Sequence, residues 1–249
     1  MITFVTALYD INRETQGDGR RFDDYLAWLL QTLTTKANYI IYTESKVVPY
    51  LPKQNNIKVI VTDVEDIPLY SLKKKMDTIL TNPNYLSKMQ DTSRVECKLS
   101  MYNIIQYSKF EWLKEAINYN PFNSEYFFWI DAGCSRFFAG LSEDFPNPNK
   151  MPQKFYIQGN MNTGNILINE DYKWMSDCVL VGTFFGGYKH YVKNVCNLVI
   201  DYLINEMLFE DMINNEQIAL AMVWNKRPEL FDVYINLDGT HLPILKTLN

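Results

Sequence analysis

ITFVTAL, Ile2–Leu8, consists of apolar and β-branched residues and runs straight into a polar stretch, 9–20, that carries Gly17 and Gly19. Such a run reads as a buried strand feeding a loop. From 21 to 36, Phe22, Tyr25, Leu26, Leu29, Leu30 and Leu33 recur at helical spacing and mark an amphipathic helix. NYIIYT at 38–43 and IKVIVT at 57–62 are short apolar runs bounded by polar turns, hence two more strands. Strands without a polar face, alternating with a helix, pack as a parallel sheet covered on both sides, so the expected fold class is α/β.

The remainder of the chain extends that pattern. Residues 71–117 are helical in character, broken at Asn82-Pro83 because the residue before proline disfavours the helical region. YFFWID at 126–131 is the most hydrophobic strand and ends on an acid followed by Ala132-Gly133. A Pro- and Asn-rich loop is expected at 145–152, with strands at 155–158 and 165–169. VLVGTFFGG at 179–187 reads as a strand running into a tight glycine turn. Helices at 189–208 and about 214–224 precede a last strand at 232–235. Neither a repeat nor a low-complexity linker interrupts the order, and the expectation is a single domain over 1–249.

With 249 residues and 47% hydrophobic side chains the chain has material for a sizeable core, which excludes a disordered class. The formal net charge of -5 argues against a nucleic-acid partner. No apolar run is long enough to cross a bilayer, and the N-terminus lacks the basic-then-apolar pattern of a signal peptide, so the expected location is cytoplasmic. The four cysteines show no CxxC spacing and read as free thiols. Two histidines are too few for a multi-histidine zinc centre, which leaves carboxylates to hold any divalent metal. GxGxxG after the first strand, GxxxxGK[ST], HExxH and GxSxG are all missing.

Ligands of an open α/β sheet collect at the carboxyl ends of its strands. Asp131 leaves the core at such an end, suited either to a Mg²⁺ or Mn²⁺ ion against a diphosphate or to capping a turn. Glu216, in Asn214-Asn215-Glu216-Gln217, opens a helix, where an acid also has a purely structural role. Gly182 and the pair Gly186-Gly187 permit close backbone approach to a ligand or simply make turns. Arg13, Arg20 and Arg21 face phosphates or solvent, and His241 stands alone near the C-terminus.

Together, ITFVTALYDINR at 2–13, Tyr107-Ser108-Lys109, Asn120-Pro121-Phe122 leading to FFWIDAG at 127–133 with Arg136, VGTFFGG at 181–187, NNEQIAL at 214–220 and RPELFDV at 227–233 resemble the HtrL/YibB-like glycosyltransferase family, a GT-A-type group. The resemblance implies a GT-A-type, Rossmann-like mixed, mostly parallel sheet flanked by helices. It also implies a transferase that moves a hexose from a nucleoside diphosphate sugar, such as a UDP-sugar, to a hydroxyl of a glycan or glycoconjugate. By that analogy Thr6, Ala7 and Arg13 contact the nucleotide, together with Asp131, Ala132, Gly133, Gly186 and Gly187, while Asp131 and His241 are the metal candidates for Mn²⁺ or Mg²⁺. Asp131 stands where GT-A enzymes carry a DxD motif, but Ala132 and Gly133 follow it, so the second carboxylate is missing. A looser likeness to retaining galactosyltransferases of the blood-group type sets Glu216 near the anomeric carbon as the catalytic acid. Two other readings stay open: a glycoside hydrolase with Asp131 and Glu216 as its carboxylate pair, and a non-catalytic nucleotide- or glycan-binding module.

Overall fold

The computed structural model describes residues 1–237 and 242–249. Seven strands form one sheet: β1 (Ile2–Leu8), β2 (Asn38–Thr43), β3 (Ile57–Val61), β4 (Tyr126–Ile130), β5 (Phe155–Gly159), β6 (Leu180–Tyr188) and β7 (Phe231–Ile235). Their order is β3-β2-β1-β4-β6-β5-β7. β1 pairs parallel with β2 and β4, β2 with β3, and β5 with β7, whereas β6 runs antiparallel to both of its neighbours. This is a mixed, mostly parallel α/β sheet flanked by helices, the sheet that the family resemblance implies.

Eight α-helices accompany the sheet among the described residues: α1 (Arg13–Gln16), α2 (Phe22–Thr32), α3 (Lys73–Leu80), α4 (Pro83–Lys88), α5 (Ser100–Tyr119), α6 (Lys189–Tyr202), α7 (Glu216–Lys226) and α8 (Ile244–Thr247). Alternation along the strands divides the core in two. Phe4, Phe128 and Phe184 point to the side of α2, where Phe4 meets both other rings edge-on and Phe128 stacks on Phe184 at 5.2 Å. Val5, Phe127, Trp129 and Phe185 point to the opposite side, into the larger cluster built with α5, α6 and α7. The break at Asn82-Pro83 is a helix start, with Asn82 Oδ1 accepting from the Asn84 N–H at 2.9 Å and Pro83 in the first turn.

Three expectations are corrected. No strand forms at 165–169: the chain there is turns and coil, held by Thr163 Oγ1 donating to Asn160 O at 2.6 Å and Val179 O at 2.8 Å. Local side-chain bonds of this kind compete with a ladder. The expected helix at 189–208 is α-helical only to Tyr202 and then opens into a π-helical turn, Leu203–Met207.

The third correction concerns Gly186 and Gly187, which make no turn. They lie inside β6 with φ of 156° and 146°, opposite Phe128 and Phe127 of β4 and Tyr156 and Phe155 of β5. A Cβ on Gly186 would run into Phe127 O and the Phe128 Cα, and one on Gly187 into Lys154 O. The glycines are there because neighbouring backbone occupies the space a side chain needs.

Candidate functional site

The carboxyl ends of β1 and β4 and the amino end of antiparallel β6 meet at one edge of the sheet, and a cavity of about 430 Å³ opens there. Asp131 sits at this edge because β4 stops at Ile130, and its N–H donates to Thr183 O at 2.9 Å across to β6. The first loop, α5 and the start of α7 complete the walls.

Two helix–strand matches set the floor. Trp129 and Asp131 are two residues apart at the end of β4 and share a face, and the Trp129 Nε1–H donates to Asp131 Oδ1 at 2.7 Å. Lys109 and Trp112 are three apart on α5 and also share a face. Trp112 stacks on Trp129 with ring centroids 6.0 Å apart, and Lys109 Nζ reaches Asp131 Oδ1 at 3.0 Å. The same ammonium donates to Glu216 Oε1 at 2.9 Å and Gly182 O at 3.2 Å. Lys109 and Glu216 are almost wholly enclosed, with side chains 2% and 1% exposed, whereas Asp131 is 33% exposed and therefore accessible to a ligand.

Glu216 owes its position to the residues before it. Asn214 is buried and donates to Lys173 O at 2.8 Å and Met175 O at 2.9 Å, while Tyr107 donates to Asn214 O at 2.9 Å. Asn215 caps α7 by accepting from the Gln217 N–H at 3.0 Å. Gly182 then makes room: a Cβ there would run into Glu216 Oε1, and its N–H donates to Gln217 Oε1 at 3.0 Å.

Burial raises the Glu216 carboxyl above its ordinary range, Lys109 pulls it back, and Asp131 pushes it up again, leaving it raised. Burial alone would lower Lys109, but Asp131 and Glu216 outweigh it and hold the ammonium above its usual value. Glu216 Oε2 is buried and has no hydrogen-bond partner. A buried polar atom left in that state in an otherwise satisfied cluster asks for an explanation.

The upper wall is cationic and aromatic. Arg13 is bound bidentately by Asp18, at 2.6 and 2.8 Å, and its guanidinium lies 4.8 Å from the centre of the Tyr102 ring. Arg13 and Arg20 both donate to the Tyr25 hydroxyl, each at 3.1 Å. Arg136 lies over Trp28 at 4.4 Å and donates its Nε–H to Gly133 O at 2.8 Å. On α5, Tyr102, Gln106 and Lys109 follow at intervals of four and three and line the cavity as one stripe.

Of the residues singled out from the sequence, Ala7, Arg13, Asp131, Ala132 and Glu216 line this cavity together with Arg20 and Gly182. Thr6 does not: it is fully buried within β1. Gly133 lies just behind the wall, where a Cβ would press on Arg136, Trp28 and Tyr25. Gly186 and Gly187 are at the opposite end of β6, Gly186 about 13 Å along the strand from Gly182 at roughly 3.3 Å per residue. His241 lies outside the described residues.

Lys109 and Arg136 also contribute cations to the site, and in the sequence they stand out only within the family likeness. Lys109 had a readable signal, a lysine on the apolar stripe of an amphipathic helix between Ile105, Trp112 and Leu113. Arg136 had none, since nothing local distinguishes it from a solvated arginine.

Among the described residues Asp131 is the accessible carboxylate of the site, and His241, the other metal candidate, lies outside them. Among the described residues no three His, Cys, Asp or Glu side chains converge, and the Lys109 ammonium already stands between the two carboxylates a cation would bridge. All four cysteines are free, and no helix among the described residues is long and apolar enough to cross a membrane.

No curated protein sequence matches the chain. Among solved structures, mouse xyloside xylosyltransferase 1 in its apo form is similar over 92% of this chain and 83% of its own, at 12% identity and a TM-score of 0.39. The family model for HtrL_YibB, described as a bacterial protein of unknown function, matches residues 1–245, and the chain belongs to that family.

Proposed function

We propose that the protein is a glycosyltransferase that moves a hexose from a nucleoside diphosphate sugar to a hydroxyl of a glycan or glycoconjugate. The observation that carries this reading is the cavity at the carboxyl ends of β1 and β4, with Asp131 and Glu216 on one buried ammonium below and Arg13, Arg20 and Arg136 around it. Its volume of about 430 Å³ is in the range of small-molecule sites. In the reaction the bond between the anomeric carbon and the diphosphate breaks, the diphosphate keeps the electron pair, and the acceptor oxygen bonds to that carbon and passes its proton to an oxygen of the departing diphosphate. The arginines neutralise charge on the leaving diphosphate. Glu216, held by Lys109 and Gly182, stabilises positive charge developing at the anomeric carbon. Asp131 faces the donor, and no step is assigned to Mn²⁺ or Mg²⁺.

Calorimetry with UDP-, GDP- and CMP-linked sugars, with and without Mn²⁺, tests the reading, and absence of binding by all of them would refute it. Glu216→Gln keeps the acceptor for Lys109 and removes the charge. It is expected to bind the nucleotide as the native protein does and to release nucleoside diphosphate about 10²–10³-fold more slowly. Gly182→Ala pushes Glu216 and Gln217 aside and is expected to slow the same assay about 10²-fold while leaving the thermal midpoint within a few degrees. An unchanged rate in Gly182→Ala would remove Glu216 from the reacting centre.

A second reading, glycoside hydrolysis, draws on the same geometry. The two carboxylate oxygens share one ammonium and so lie within about 6 Å of each other, near the spacing of a retaining pair. It predicts turnover of aryl glycosides without nucleotide.

A further inference from the structure

A lysine ammonium has three N–H donors. In Lys109 all three are used within the protein, on Asp131 Oδ1, Glu216 Oε1 and Gly182 O. The charged floor of the cavity therefore presents a ligand with acceptors and no ammonium proton. Those acceptors are Glu216 Oε2, buried without a partner, and the second carboxylate oxygen of Asp131, since both side-chain bonds to that residue end on Oδ1.

Charge points the same way. Two carboxylates and one ammonium leave a net charge of about -1 on the floor, where Lys109 and Glu216 are almost wholly enclosed and electrostatic effects are strong. The arginines of the cavity come from the first loop and the turn after β4, on the upper wall. A ligand hydroxyl relieves the orphaned oxygen by donating to it, whereas a ligand carboxylate brings a like charge against it.

Resting on the reading of the cavity as a sugar-donor site, we infer that its floor selects an uncharged sugar, recognised by hydroxyl donors to Glu216 Oε2 and Asp131, and rejects sugars that carry a carboxylate. Two matched pairs of probes differ only in a CH₂OH group replaced by a carboxylate: UDP-glucose with UDP-glucuronate, and GDP-mannose with GDP-mannuronate. Binding is measured by calorimetry against free UDP and GDP. In at least one pair the neutral sugar is expected to bind at least about tenfold more tightly than its uronate. Glu216→Gln and Asp131→Asn each remove one negative charge, and either is expected to bring the ratio of neutral-sugar to uronate affinity towards one.

Equal or tighter binding of the uronates would overturn the inference, and so would a preference that both variants retain in full. If no nucleotide or nucleotide sugar binds at all, the donor-site reading itself fails, a result distinct from binding without discrimination.

Discussion

Lys109→Met is expected to lower the unfolding free energy by about 3–5 kcal/mol, because it leaves Glu216 and Asp131 facing each other without the ammonium that joins them. Methionine fills most of the volume, so the loss is electrostatic rather than a cavity effect. The deficit depends on pH with a definite sign. Burial already raises the Glu216 carboxyl, and removing the ammonium raises it further. A carboxyl whose folded value lies above its unfolded value favours the folded state below the unfolded value, and that stability is lost as pH rises through the folded one. Measured by urea unfolding against the native protein, the deficit should therefore be larger at about pH 8 than at about pH 5. Adding Glu216→Gln to Lys109→Met is expected to restore part of the loss, since the most deeply buried uncompensated charge is then gone. Equal urea midpoints for Lys109→Met and the native protein at about pH 8 would show that the ammonium does not clamp the two acids.

The second large effect is expected at Gly186. An alanine there faces a positive φ, which costs about 1–3 kcal/mol, and meets the backbone of β4, an overpacking cost of about another 1–3 kcal/mol. Because β6 joins β4 to β5, a strand that cannot close on β4 also detaches β5 and β7 from the sheet. Gly186→Ala should be poorly soluble or have a strongly lowered denaturation midpoint. Gly140→Ala provides the comparison, since Gly140 also has a positive φ of 82° but open space where its Cβ would stand. It carries the conformational cost alone. If the two variants unfold at the same urea concentration, contact with β4 is not what requires glycine at 186.

Much of the fold is legible in one dimension. Ile2–Leu8, NYIIYT and YFFWID are apolar on alternate residues as well as between them, and strands of that kind have to be covered on both faces. Asp131 is legible for the same reason, as an acid terminating a strand that otherwise has no polar group. The misreadings share a cause. At Gly186-Gly187 and at 165–169 local composition points to a turn and a strand, yet a glycine pair makes a turn or tolerates a crowded neighbour according to what lies beside it. Ile166 and Ile168 do pack on the core, but the asparagine-rich segment before them spends its hydrogen bonds on its own turns and on Val179 rather than on a strand ladder.

By itself, the order of apolar runs and turns determined the alternation of strands and helices, the sheet covered on both sides, and the emergence of an acid at the end of β4, because periodicity and burial are properties of consecutive residues. Only the tertiary structure decided that Lys109, 107 positions from Glu216 along the chain, would join it to Asp131, and that the amino end of β6 rather than its glycine pair would reach the cavity. Those outcomes depend on the antiparallel direction of β6 and on how α5 docks against β4, and both are set by contacts between segments remote in sequence.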